Sequence, residues 1–407
     1  MKNYQPTKEI IEKYAKVLVN FALGGGKGIK KGDVVWVGGS EASRPLYLEL
    51  LRQVWLAGGH PIGDYSHDIY EPADNTGKFF YEHASEAQLD FFARDYYRGM
   101  VKQIDHDVTI LADTDLEALK GVDPAKIMRR GQVHKPLHDW QNKKEGAGKF
   151  TWTLGLYGTA AMAREAGLSL EEYWQQIIKA CFLDEADPIA KWRSVEKEIG
   201  AIRGKLDDLK MEWVRVQGKD VDLKLKIGAD RKWEGGGGRN IPSFEIFTSP
   251  DWRGTTGWIR FNQPLYRYGN LIEGVELEFK NGKVIKSKAS KNQKVLQEMI
   301  ATKNADKVGE FSLTDSRFSR ITKFMAETLY DENMGGRYGN THIALGTSYH
   351  DCFAGDQSKP TKSEWARRGF NDSVVHTDIV STTDRTVTAT LADGTERVIY
   401  EDGKFVV

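Results

Sequence analysis

"GDVVWVGGSEASRPLYLELLRQVWLAGG", residues 32–59, carries the reading of the fold. Val34 to Val37 form a short apolar run of the kind that fills a buried strand, and Gly38 and Gly39 close it. From Arg44 to Leu56 apolar residues recur at helical spacing, and Gly58 and Gly59 supply the stop. A strand followed by a helix is the unit of a parallel sheet. Working outward, "EIIEKYAKVLVNFAL" (9–23) suits a helix, while "DHDVTILAD" (105–113) and "KFTWTLGLYGT" (149–159) repeat the strand signal. The pattern then changes. After a long charged helix in "PIAKWRSVEKEIGAIRGKLDDLKM" (188–211) come mostly strands, including "DVDLKLKIG" (220–228), "GVELEFKNGKVIKSKA" (274–289) and "RTVTATLADGTERVIYEDGKFVV" (385–407). The pairs Asn281-Gly282, Asp393-Gly394 and Asp402-Gly403 read as hairpin turns. The expected fold is α/β plus α+β. A βα-alternating parallel-sheet domain spans residues 1–185, and a strand-rich C-terminal domain spans 186–407.

At 407 residues the chain exceeds what one core usually supports, which favours two domains. Lys+Arg and Asp+Glu balance at 58 each, so no net field concentrates nucleic acid or an anionic membrane. Cys181 and Cys352 are far apart and form neither a disulfide framework nor a zinc ribbon, which suits a reducing compartment. The first residues read as an amphipathic helix rather than a leader, and no apolar run reaches membrane-spanning length. A cytoplasmic protein is expected.

Several motifs have a plain structural reading. "GGGKGIKKGD" (24–33) lacks the ending of a phosphate loop and precedes a strand instead of following one, so it is expected as a solvated turn. "VVWVGGSEASRP" (34–45) misses the dinucleotide spacing and reads as a structural turn, with an anion site at the helix start as the alternative. Gly235 to Gly238 is expected as a mobile loop beside a site or edge. His60, His67, His83, His106, His134 and His138 show no ligand spacing, and Pro136 argues against His134 and His138 sharing a helical face. All six are expected at the surface.

The second half differs. In "NDSVVHTDIV" (371–380) alternation puts His376 and Asp378 on one strand face among valines. No Arg or Lys in the segment pairs with the acid, so its partner is either a residue elsewhere or a metal ion. "NTHIALGTSYHD" (340–351) sets His342 at the start of a strand-like run, "IPSFEIFTSPD" (241–251) places Glu245 between apolar residues, and "KNADKVGEFSL" (303–313) puts Glu310 before another apolar stretch. Each alone is weak. Together, two Glu, two His and one Asp at strand-like positions match the donor set of a dinuclear hydrolytic centre.

These segments, with "YAKVLVNFAL" (14–23), "EHASEAQLDFF" (82–92), "LKGVDPAKI" (119–127) and "ARRGFNDSVVHTDIV" (366–380), resemble the thermophilic metallo-aminopeptidases of the aminopeptidase T and aminopeptidase S type. The resemblance runs over nearly the whole chain. It implies an exopeptidase whose C-terminal domain is the catalytic metal-binding one, with ligands Glu245, Glu310, His342, His376 and Asp378. It further implies Glu310 as general base and Tyr349, seven residues after His342, as the catalytic tyrosine. Two divalent ions per chain are expected, zinc by default, with cobalt or manganese as alternatives. The partners implied are peptides with a free N-terminus and a second copy of the chain in a homodimer. The connection "DENMGGRYGN" (331–340) is longer than the commoner family text and bears on substrate preference. Two other readings keep the same residues: an amidohydrolase that needs no free amine, and a catalytically silent binding protein.

Overall fold

The computed structural model describes residues 4–228 and 230–407. The chain divides into two compact units. The N-terminal unit comprises residues 1–197, 236–243 and 325–329, and the C-terminal unit comprises 198–235, 244–324 and 330–407. Among the described residues no helix is long and apolar enough to cross a membrane.

The N-terminal unit is built on four parallel strands, β1 (Val34–Ser40), β2 (His60–Ser66), β3 (His106–Leu111) and β4 (Thr151–Leu156), in the order β2-β1-β3-β4. Between β1 and β2 runs the expected helix, Arg44–Leu56, which buries Leu46, Tyr47, Leu50 and Val54. It ends as its glycines require: Gly58 adopts φ 81°, and the Gly58 and Gly59 amides donate to the carbonyls of Trp55 and Val54, both at 2.9 Å. This double bond satisfies carbonyls that would otherwise be orphaned at the helix end.

Three expectations for this unit are corrected. Pro136 lies inside the helix Pro124–Gly146. None of that helix's residues is buried, so the carbonyl that loses its amide partner to the proline ring, that of the exposed Gln132, is in reach of solvent. His106 is not at the surface. It is buried with Nε2 at 2.9 Å from Asp33 Oδ2 and Nδ1 at 2.7 Å from the hydroxyl of Thr151, a polar partnership that makes its burial tolerable. His134 is half-buried, while His60, His67, His83 and His138 are exposed. Finally, the glycine turn at 24–28 is only partly solvated, since Gly26 and Gly28 are buried and a Cβ on Gly28 would lie 2.6 Å from the Asn20 carbonyl oxygen.

The C-terminal unit holds two main antiparallel sheets. The larger has eight strands in the order β12-β11-β8-β6-β5-β16-β17-β18: β5 (Met211–Gly218), β6 (Val221–Lys226), β8 (Asp251–Arg260), β11 (Glu276–Lys280), β12 (Lys283–Lys288), β16 (Arg385–Leu391), β17 (Glu396–Glu401) and β18 (Lys404–Phe405). Asn281-Gly282 and Asp402-Gly403 join its hairpins with both residues at positive φ, as the tightest hairpin turns need. The smaller sheet, ordered β15-β14-β13-β7, consists of β7 (Glu245–Thr248), β13 (Val308–Thr314), β14 (Asn340–Gly346) and β15 (His376–Ser381). A short hairpin, β9 (Leu265–Arg267) and β10 (Asn270–Ile272), stands apart from both.

The smaller sheet has two unlike faces. Ile246, Phe311, Leu313, Ile343, Leu345 and Ile379 lie on one and are buried. Glu245, Glu310, Ser312, His342, Ala344, His376 and Asp378 lie on the other. The strands are therefore covered on both sides, and the apolar face supplies the burial that holds the polar one in place. Two glycines make the pairing possible. Gly346, at φ 111°, faces His376 in register, and a Cβ there would fall 1.9 Å from the Val375 carbonyl oxygen. Gly309, beside a register shift in β13, would meet the Thr347 carbonyl oxygen at 2.1 Å.

The tetraglycine is not a mobile loop. All four glycines have positive φ, and a Cβ on Gly235 would lie 2.1 Å from the Glu245 carbonyl oxygen. Glu234 and Phe247 exchange two backbone hydrogen bonds of 2.8 Å, which tie the segment to β7.

Gly346→Ala is expected to lower folding stability by more than about 3 kcal/mol, because the strained φ and the carbonyl contact cannot both be relieved. Gly394→Ala, at φ 85° with open space around it, should cost about 1 kcal/mol. Equal losses for the two in urea titrations would contradict the account of Gly346.

Candidate metal centre

The ligand candidates are brought together by strand register. Asp378 on β15 pairs with Ala344 on β14, which pairs with Glu310 on β13. In the adjoining row Val380, His342, Ser312 and Phe247 stand across the sheet, and Glu245 follows opposite Thr314. Side chains two apart on a strand share a face, so carboxylates and imidazoles from four strands converge. Ala344 leaves the space between Glu310 and Asp378 open, since its methyl is the smallest side chain a non-glycine residue can place there.

Distances define two overlapping groups. His342 Nε2 lies 3.1 Å from both Glu245 Oε2 and Glu310 Oε1, and 4.0 Å from Asp378 Oδ1. His376 Nε2 lies 3.6 Å from Glu310 Oε2 and 3.5 Å from Asp378 Oδ1. Glu245, Glu310 and His342 form one candidate ligand group, and Glu310, His376 and Asp378 form the other. Glu310 belongs to both, with one oxygen turned toward each imidazole.

The surroundings orient these groups. His376 Nδ1 donates to the Thr347 carbonyl oxygen at 3.0 Å, which leaves Nε2 facing the carboxylates. His342 Nδ1 faces Asn340 Oδ1 at 3.4 Å, and the Ser312 hydroxyl donates to Glu245 Oε2 at 3.1 Å. Fixing one ring nitrogen so that the other points at an ion is the usual arrangement for a ligating histidine. Tyr349 stacks at a tilt on the His376 ring, 4.7 Å between centroids, and its amide donates to the Ser249 hydroxyl at 2.8 Å.

Glu332 is a member of the cluster that sequence reading missed. It is buried, and burial followed by the charges of Glu245 and Asp378 pushes its carboxyl well above the usual range. It sits in the long connection before His342, where the Asn340 amide donates to the Glu332 and Met334 carbonyl oxygens at 2.7 and 2.8 Å. The Tyr400 hydroxyl donates to the Thr314 and Tyr338 carbonyl oxygens at 2.9 and 3.0 Å, closing the loop from the other side. A loop acid preceding a glycine-rich turn carries no periodic signal, and only its burial exposes it.

Four carboxylates and two imidazoles in this space suit divalent cations with oxygen and nitrogen preference. Without cations the cluster must hold protons. Burial raises Glu310 to about 7. His376, which burial alone would depress, is raised to about 9 by the charge and hydrogen bond of Asp378 and by Glu310. Asp378, against burial, is held at about 2 chiefly by the His376 charge.

The matches to known proteins agree with this chemistry. A profile of the thermophilic metalloprotease family (M29) fits residues 7–405. The chain belongs to that family. As an M29 member it is a metal-dependent peptidase, and the resemblance read from its motifs holds. Aminopeptidase T of Thermus aquaticus is 29% identical over 343 residues, 79% of this chain and 82% of the relative. Aminopeptidase AmpS of Bacillus subtilis (strain 168) is 25% identical over 402 residues, 93% and 95% of the two chains. The structure of wild-type AmpT from Thermus thermophilus superposes with a TM-score of 0.79 over 98% of this chain and 100% of that one, at 23% identity. The M29 fold is thus the α/β plus α+β arrangement expected.

Proton bookkeeping gives a prediction for the chelator-treated protein. Glu310 and His376 both have folded values above their ordinary ones, so the stability they contribute is complete at low pH and is lost as pH rises through about 7 and about 9. Asp378, depressed to about 2, contributes across that whole window. Stripped protein should therefore melt at a lower temperature at pH 9 than at pH 6. Divalent ions should restore the loss and release protons on binding. A stripped protein that grows more stable between pH 6 and pH 9 would contradict this.

Proposed function

We propose that this M29 protein is an aminopeptidase that removes the N-terminal residue from peptides at a centre of two divalent ions. The observation that supports it best is Glu310, shared between two candidate ligand groups. Glu245, Glu310 and His342 would hold one ion, and Glu310, His376 and Asp378 the other, with Glu332 completing the carboxylate set. The donor set favours two ions: three carboxylates and two imidazoles divide into two groups that share Glu310. When bound, the ions supply Lewis acidity and activate a water molecule near neutral pH. Zinc is the expected metal, with cobalt or manganese compatible with the same donors.

The chain's own groups then have separable tasks. Glu310 accepts the proton of the attacking water and returns it to the leaving amine. Tyr349, held on the His376 ring, donates to the oxyanion that forms on the scissile carbonyl. One carboxylate of the cluster receives the substrate's free α-amino group, which confines cleavage to the first residue. An amidohydrolase indifferent to the α-amine is the competing reading. It is separated by comparing leucyl p-nitroanilide with its N-acetyl derivative, of which only the first should be cleaved.

Glu310→Gln should lower kcat by at least about 10²–10⁴. Turnover near the wild-type rate, with metal content confirmed by elemental analysis, would remove Glu310 from proton transfer. Tyr349→Phe should lower kcat by about 10²–10³ with a smaller effect on KM. Stripping with a chelator should abolish leucyl p-nitroanilide hydrolysis, and zinc, cobalt or manganese should restore it. Activity that survives complete stripping would end the metallo-aminopeptidase reading.

A further inference from the structure

Arg267 ends β9 in the short hairpin with β10. One Nη2 hydrogen donates to the His376 carbonyl oxygen at 2.8 Å, which fixes the guanidinium at the end of the ligand strand β15. Its Nε is buried and has no hydrogen-bond partner, and among the described residues no carboxylate lies within ion-pairing distance. The side chain is half-buried. A half-buried guanidinium whose charge acts on a buried carboxylate normally pairs with it, bidentately where geometry permits. This one instead keeps most of its donor fork unspent. Its charge reaches Asp378, where it reinforces His376 in keeping the carboxylate ionised against burial.

The hairpin is built to hold that position. Tyr268 and Gly269 have φ 54° and 65°, so a bulky residue occupies a turn position that glycine or asparagine fills at less cost. Tyr268 carries its ring 5.0 Å from the Arg267 guanidinium. The strained residue is therefore also the one that flanks the cation, and the Asn270 amide donates to the Tyr268 carbonyl oxygen at 2.8 Å to stabilise the turn.

We infer that Arg267 is a specificity-determining residue that receives the free carboxylate of short peptides, so that dipeptides are preferred substrates. This rests on the aminopeptidase reading. In that reading the α-ammonium end of a substrate is drawn to the carboxylate cluster, and an extended dipeptide places its carboxylate only about 7 Å further on. A cation at the rim of the same cluster would repel the amine and attract the opposite end. A planar fork whose Nη1 hydrogens and second Nη2 hydrogen are not engaged within the protein matches a carboxylate better than the single oxygen of a longer peptide's carbonyl.

The test compares leucylglycine, leucylglycinamide and leucyl p-nitroanilide on the metal-loaded protein. Wild type should show a KM for leucylglycine at least about tenfold below that for leucylglycinamide. Arg267→Gln should bring the ratio of the two KM values close to one while kcat for leucylglycine changes far less, and Arg267→Lys should retain part of the preference because it keeps the charge without the fork. If wild type cleaves all three substrates with no preference for the free carboxylate, the inference on Arg267 is overturned and the aminopeptidase reading stands. The inference is equally overturned if Arg267→Gln folds, as judged by its melting temperature, and lowers kcat on every substrate alike, since that is the signature of a prop for His376. Failure to cleave any of the three would overturn both.

Discussion

Mutual repulsion among buried carboxylates governs the C-terminal unit. Glu245, Glu310 and Asp378 each lie within 4.0 Å of His342 Nε2, the buried Glu332 adds to their charge, and no arginine or lysine forms an ion pair with Glu245, Glu310 or Asp378 among the described residues. Burying even one unpaired carboxylate costs several kcal/mol, so these three are tolerated only with cations or protons between them. The rest of the unit supplies the compensation. The sheet's opposite face carries buried Ile, Leu and Phe side chains interspersed with Thr and Ser, and the burial of the apolar ones anchors the strands. Hydrogen-bonded rows then fix the acids at a spacing their repulsion would otherwise widen. Metal affinity and folding are thereby linked, because whatever spreads the strands also dissolves the site.

Rigid strands explain why the ligands are so far apart in sequence yet share one surface. Row neighbours are set by the ladder, and side chains two apart on a strand share a face. Such a site needs glycine wherever one backbone must approach another, which is where Gly346 and Gly309 stand. The groups outside the sheet behave differently. Glu332 and Arg267 come from a loop and a small hairpin, each fastened by its own hydrogen bonds and neither part of the register that holds the candidate ligands.

What the sequence reveals follows the same division. The βα unit at 32–59 and the hairpins at Asn281-Gly282 and Asp402-Gly403 are legible because local periodicity and turn chemistry decide them. His376 and Asp378 are legible as a same-face pair, and Glu245, Glu310 and His342 stand out as polar residues within apolar strands, although only the family resemblance joins the five into one set. Glu332 escapes because a loop acid looks solvated until a tertiary contact buries it. His106 escapes for the same reason: its partners Asp33 and Thr151 lie 73 and 45 residues away. Pro136 misleads because the rule against proline in helices presumes that the freed carbonyl is buried, and here it belongs to the exposed Gln132. The tetraglycine misleads in turn, since glycine marks close backbone approach as often as freedom, and Gly235 against Glu245 is the former.

The two kinds of support suggest how a metal-dependent peptidase of this architecture divides labour. A sheet position such as Glu310 is constrained by its own strand and by its pairing with Ala344 on β14, beside the register shift at Gly309. Substitution there alters charge, register and packing together. A hairpin residue such as Arg267 meets the sheet through a hydrogen bond to the His376 carbonyl oxygen and takes no part in the ladder, so its side chain can be exchanged while the ladder stays whole. Chemistry is thus best carried by the strands, where geometry is over-determined, and substrate preference by the appended segments, where it is not. Tyr349 lies between these regimes. It follows β14 immediately and rests on a ligand ring, so its hydroxyl inherits the precision of the strand while remaining outside the ladder.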